Sequence, residues 1–151
     1  MIDVGFYQLA ERRAENVVPQ LAAKALAAGH RLVIRCADPL LLARIDDGLW
    51  SDAPGSFIPH GVEASLSIAS SATQPVLLTA APLPAANGAD CLVQVGDDLP
   101  DDLAGLARVL YLFDTESLEI ARARWRRLAS ADAMQPVYWR EGEGGRFARA
   151  Q

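Results

Sequence analysis

Residues 121–127 read Ala-Arg-Ala-Arg-Trp-Arg-Arg. On a helix, Arg122, Trp125 and Arg126 fall at i, i+3 and i+4 and share one face. Two guanidinium forks beside an indole suit a carboxylate that carries an aromatic neighbour. The forks offer bidentate donors, and the ring offers an apolar wall. Two other readings stand beside this one. The cations can be a solvated helix face. Trp125 can belong to a core-facing stripe with Leu118, Ala121 and Leu128. A boundary position, with one ring face buried and the other walling a pocket, satisfies both roles of the tryptophan.

The charge distribution makes this segment stand out. Residues after 120 hold seven arginines against three acids, a net +4, whereas residues 1–120 hold seven cations against 16 acids, a net −9. The whole chain of 151 residues carries −5. Such segregation points to a local anion-recognition surface and argues against broad affinity for duplex DNA, which needs many clustered cations. The negative body also argues against direct binding of single strands.

Other chemistry is sparse. A doubly wound fold often binds nucleotides, yet no Gly-rich turn follows the first strand and no Gly-Lys-Ser/Thr phosphate loop exists. Gly142–Gly145 leads towards the chain end and reads as a flexible tail. Gly55-Ser56-Phe57 lacks the Gly-x-Ser-x-Gly spacing of a nucleophile elbow. His30 decorates a helix end, and His60 has no acidic partner or second histidine at ligand spacing. Asp97-Asp98 and Asp101-Asp102 read as an exposed turn before a helix N-terminus. Cys36 and Cys91 lie far apart in strand-like runs and read as buried free thiols. No catalytic constellation, cofactor loop or metal site emerges. There is no transmembrane run and no signal peptide, so a cytoplasmic, non-enzymatic protein is the expectation.

The elements that must position the arginines follow from periodicity. Strands are expected at Val4–Leu9, Arg31–Cys36, Gln74–Thr79, Asp90–Val95 and Val109–Phe113, with Gln135–Arg140 as a final edge strand because of Pro136. Val18, Leu21, Ala22, Ala25 and Leu26 mark one helix, stopped at Gly29. Asp38-Pro39 supplies N-cap and N1 of a second, running to about Leu49. A short helix can start at Asp101–Leu106. The last helix begins at a cap from Asp114 or Thr115 and runs to about Ala129. Ser51–Gly61 is a loop, and Ala80–Gly88 reads as a mobile connection. Strand–helix alternation implies an α/β fold, a three-layer α/β/α sandwich around a mostly parallel sheet, Rossmann-like but without a nucleotide-binding loop. One domain spans 1–140, and 141–151 is a flexible C-terminal tail.

A second constellation is Trp50, Phe57, Ile58 and Pro59. It reads either as an apolar patch for a protein partner or as a loop closing over the core.

Several landmarks together resemble the chi subunit of bacterial DNA polymerase III holoenzyme. They are Phe6-Tyr7-Gln8-Leu9, Gly29-His30-Arg31, Asp47-Gly48-Leu49-Trp50 with Ser56-Phe57-Ile58-Pro59-His60-Gly61, Gln74-Pro75-Val76-Leu77-Leu78, and the 121–126 helix. The resemblance implies a non-catalytic clamp-loader accessory subunit in DNA replication. It implies no membrane contact and contact with DNA only through other proteins. It carries two partner sites. Arg122, Trp125 and Arg126 fall on the helix that grips the acidic C-terminal tail of single-stranded DNA-binding protein. Trp50, Phe57 and Pro59 fall on the patch that faces the psi subunit. In the tail-binding helix, Trp stands where Tyr is common and Arg where Lys is common. The stretch between Gly61 and Gln74 departs most from the pattern. The rival reading is a nucleotide-binding α/β regulator or enzyme, which rests on fold analogy alone.

Overall fold

The apolar runs of the sequence form a sheet with helices on both faces. The computed structural model describes residues 1–51 and 58–150. The strands are β1 (Ile2–Gln8), β2 (Leu32–Cys36), β3 (Gly61–Val62), β4 (Val76–Thr79), β5 (Cys91–Val95), β6 (Arg108–Phe113), β7 (Met134–Glu141) and β8 (Phe147–Ala150). The helices are α1 (Ala14–Ala27), α2 (Pro39–Ser51), α3 (Ile68–Thr73) and α4 (Leu118–Ala129). The strand order is β3-β4-β2-β5-β6-β1-β7-β8. Every pairing is parallel except β7 with β8. Both faces of the central strands are therefore buried, which is why β2, β4 and β5 are apolar throughout most of their length.

Two cores flank the sheet. Val17, Val18, Leu21 and Ala22 of α1 and Ile45 and Leu49 of α2 pack on Leu32, Ile34, Val76, Leu78 and Val93. Ala121 and Leu128 of α4 pack on the other face, with Val4, Phe6, Val109 and Tyr111. The caps agree with the sequence. Asp38 Oδ1 accepts from the N–H groups of Leu40 and Leu41 at 3.0 and 3.4 Å. Asp114 caps the 3-10 turn that leads into α4. Gly29, with φ +89°, ends α1.

Four expectations need correction. Asp101–Leu106 forms turns and not a helix, and Gly105 sits there at φ +87°. β7 is not an edge: β8 pairs with it at Tyr138–Glu141, while Pro136 lies on the stretch that only β1 borders. This register lets a proline sit inside the sheet without breaking a ladder on both sides. The segment read as a frayed tail forms a 3-10 turn at Glu143–Gly145 and then β8. The 80–88 connection is tied down by Asn87, whose amide donates to the carbonyls of Leu32 and Gln74 at 2.8 and 2.9 Å.

The β1–α1 turn contains no glycine, and its N–H groups are engaged within the chain. The backbone N–H of Glu11 donates to Glu141 Oε2 at 2.7 Å, and that of Arg12 to Glu141 Oε1 at 3.1 Å. Glu141 is buried. An internal carboxylate thus occupies the N–H groups that a doubly wound fold commonly offers to a ligand.

The α1–α2 crossing depends on Gly48. Pro19 lies inside α1 and cannot donate to the carbonyl of Glu15, four residues earlier. A Cβ at position 48 would come within 2.6 Å of that same oxygen. Gly48→Ala therefore overpacks a backbone contact, and a net loss of about 1–2 kcal/mol is expected even after the gain in helix propensity. A lower urea midpoint at unchanged m is the readout; a midpoint equal to or above wild type contradicts the packing argument.

Cys36 and Cys91 are free and buried. Burial pushes the Cys91 thiol up to about 12, against the nearby Arg108, with Asp90 adding to the rise. Burial also raises Cys36. The thiolate is the reactive form, so neither cysteine should react with Ellman's reagent at pH 8 in the native protein, and both should react in denaturant.

Candidate functional site

The arginine-rich helix faces two ways. Arg124 donates to the carbonyl of Leu99 at 2.7 Å and to that of Asp97. Arg127 pairs with Asp101 at 2.6 Å. These two cations serve the acidic 97–102 segment, which also takes Arg35 of β2: its guanidinium reaches Gln94 at 2.8 Å and Asp98 Oδ2 at 3.3 Å. Of the aspartates read as an exposed turn, Asp98 and Asp101 pair with Arg35 and Arg127 through their carboxylates, Asp97 meets Arg124 through its carbonyl, and Asp102 accepts from the N–H of Ala104. No cluster able to hold a metal ion occurs among the described residues.

Arg122, Trp125 and Arg126 point into a separate groove of about 310 Å³, completed by Gln8, Leu118, Tyr138 and Arg140. Its construction follows from the β1–β7 register. Phe6 is paired with Tyr138 and Gln8 with Arg140, so residues some 130 positions apart lie side by side. Trp125 sits at the boundary foreseen for it. It packs edge-on against Phe6 (centroids 5.3 Å, 80°) and Tyr138 (5.7 Å, 74°), while the rest of the ring faces the groove. The Tyr138 hydroxyl donates to Gln8 Oε1 at 2.5 Å, fixing the floor.

Three guanidinium groups ring this aromatic floor. Arg122 holds an exposed i,i+3 pair with Glu119 at 3.0 Å, a contact worth little in water. Arg126 and Arg140 are exposed and form no ion pair among the described residues. Burial raises the Tyr138 hydroxyl, and Arg140 and Arg122 beside it oppose the rise. The groove is therefore a positively charged hollow with an apolar base, able to take a carboxylate and an aromatic side chain together. Sequence spacing found its α4 half. It missed Gln8, Tyr138 and Arg140, for which the only local signal is an arginine ending an aromatic strand.

The second constellation is only partly visible. Trp50, at the end of α2, is 60% exposed, and Pro59 is exposed. Phe57 lies outside the described residues. His60 has the acidic partner that spacing did not reveal. Its Nε2 lies 3.0 Å from Asp46 Oδ1, off the line of a hydrogen bond, and its Nδ1 contacts the Ile58 carbonyl at 2.7 Å. Trp50 packs on the His60 ring with centroids 4.6 Å apart. His30 does more than decorate a helix end: its Nδ1 meets Asp90 Oδ2 at 3.0 Å. Burial disfavours the Asp90 carboxylate, but hydrogen bonds from His30 and the Arg31 N–H outweigh it and hold the carboxyl below its ordinary range.

The groove residues divide by role. Trp125→Ala removes a ring packed on Phe6 and Tyr138 and should destabilise by about 3 kcal/mol. Arg126→Ala and Arg140→Ala should stay within about 0.5 kcal/mol of wild type. Thermal unfolding of the three variants checks this; equal losses for all three would make the arginines structural.

No helix among the described residues is long and apolar enough to cross a membrane. No curated protein matches the sequence at a significant level. The sequence model of the family described as "DNA polymerase III chi subunit, HolC" matches residues 1–135. With nearly the whole chain matched in order, the chain belongs to the DNA polymerase III chi subunit family.

Proposed function

We propose that this protein is a non-catalytic accessory subunit of the DNA polymerase III holoenzyme that links the clamp-loader complex to single-stranded DNA-binding protein by gripping its acidic C-terminal tail. Membership of the chi family supports the replication role. The observation that carries the finer reading is the α4 groove, where Arg122, Arg126 and Arg140 surround the Trp125–Tyr138 floor. In this reading Arg126 and Arg140 take the terminal carboxylate, and Arg122 meets acidic side chains upstream. The final aromatic ring of the tail lies between Trp125 and Leu118. The Trp50–Phe57–Pro59 patch is the proposed contact for a psi subunit. Its support is the exposure of Trp50 and Pro59 next to a His60 anchor.

Charge-assisted hydrogen bonds are worth about 1.5–3 kcal/mol each, and about 1.4 kcal/mol is a factor of ten in affinity. Arg126→Ala should therefore weaken binding of an acidic peptide ending in Pro-Phe by roughly tenfold or more, and Arg140→Ala by a comparable factor. Binding should fall as salt rises, because exposed pairs are screened. Arg149 is the control. It pairs across β8 with Trp139 and so lies on the opposite sheet face from Tyr138. Calorimetry decides: equal small losses for Arg126→Ala and Arg149→Ala reduce the groove to a diffuse positive field, and no binding by wild type removes the tail-binding role.

A further inference from the structure

A larger hollow lies on the other face of the sheet. α1 and α2 cover the β4–β2–β5 part of that face, and α1 only borders the β1–β7–β8 end. A cavity of about 660 Å³ opens there. Its base is aromatic. Tyr7 and Trp139 lie nearly parallel (6.2 Å, 11°), and Phe147 of β8 meets Tyr7 edge-on (5.4 Å, 80°). Tyr7 can lie flat along the sheet because residue 5 is glycine; a Cβ there would come within 2.7 Å of the Tyr7 ring.

The walls are cationic. Arg12, Lys24, Arg108 and Arg146 line the hollow, and none of the lining residues is acidic. In a chain of net charge −5 this is a strong local reversal. Arg12 is committed to the fold: it donates to the carbonyls of Asn16 and Gly145 at 2.9 and 3.2 Å. Those bonds hold the 142–145 turn against α1, where a Cβ on Gly145 would strike Arg12 at 2.6 Å. Lys24 and Arg146 are exposed, half-buried Arg108 approaches the Tyr7 hydroxyl, and none of the three forms an ion pair among the described residues.

Two near-parallel rings with Phe147 upright at their edge, rimmed by Lys24, Arg108 and Arg146 that form no ion pair among the described residues, suit a flat ring joined to a phosphate. Stacking on Trp or Phe accepts any base, and Lys or Arg take the phosphate. The volume falls within the range of small-ligand sites. We propose that this hollow binds a nucleotide unit, with its base against Trp139 and Phe147 and its phosphate among Lys24, Arg108 and Arg146. Recognition here uses side chains, so it needs no glycine-rich loop. The source is either a free nucleotide or one unit of a single strand.

The full chain is titrated at about 50 mM salt with dTMP, with an eight-residue oligo-dT and with inorganic phosphate. The indole N–H resonance of Trp139, assigned through Trp139→Phe, is followed. The nucleotide and the oligomer should both shift it; tighter binding of the oligomer identifies a strand as the source, and equal affinity identifies the free nucleotide. The Lys24→Ala/Arg146→Ala double variant should bind at least tenfold more weakly and lower the salt slope by about one per lost contact. Exposed Arg13→Ala should change neither. An unmoved Trp139 resonance, a phosphate effect as large as that of dTMP, or wild-type binding by the double variant overturns the proposal. So does a loss seen with Arg126→Ala in place of the double variant, because it would move the nucleotide to the α4 groove.

Discussion

Both hollows hang on one constraint, the alternation of side chains along β1. Phe6 and Tyr7 are neighbours in sequence and point to opposite faces of the sheet. Phe6 is fully buried and touches four rings: Tyr111, Phe113, Trp125 and Tyr138. Through Trp125 and Tyr138 it sets the depth of the α4 groove. Tyr7 does the same for Trp139 and Phe147 on the other side. β7 obeys the same alternation in parallel register, so Tyr138 joins one cluster and Trp139 the other. A one-residue slip between β1 and β7 would exchange the two sets and destroy both sites at once.

That register is held from outside the ladder by Glu141. Its carboxylate bonds the N–H groups of Glu11 and Arg12 beyond the end of β1, while its backbone pairs with Phe147 in β8. A buried carboxylate with charge-assisted acceptor bonds is costly to misplace. It therefore fixes the end of β7, and Arg140 with it. The same contact places a carboxylate of the chain itself at the first turn of the doubly wound sheet.

The sequence carried the architecture well where physics is local. Apolar runs of strand length, Asp38-Pro39, Gly29 and the cap at Asp114 each act within a few residues, and the elements formed where these signals stood. It carried the α4 half of the groove for the same reason, since i, i+3 and i+4 define a helix face. What it hid was long-range. Nothing near residue 140 announces Gln8, and nothing near residue 60 announces Asp46. Glycine near the chain end carries a turn: Gly144 and Gly145 take positive φ where the chain returns as β8. Turns stand in place of a short helix at 101–106, where Gly105 at φ +87° breaks the run.

Net charge was informative only once geometry divided it. Four arginines within six residues of α4 look equivalent in sequence. The helix turns Arg124 and Arg127 towards the 97–101 segment, where backbone oxygens and Asp101 consume them. Arg122 and Arg126 keep the opposite side, and β7 brings Arg140 to join them. Acidic residues of the body are thus not a uniform repulsive field around the site. Within the 97–102 cluster Asp98 and Asp101 are paired at short range with Arg35 and Arg127, and beyond a Debye length of about 8–10 Å the remaining acids are screened. A small positive groove can therefore act on an anionic partner from the surface of an acidic protein. In the proposed reading, the Trp125–Tyr138 floor is what makes the groove selective for anions that bring an apolar ring with them.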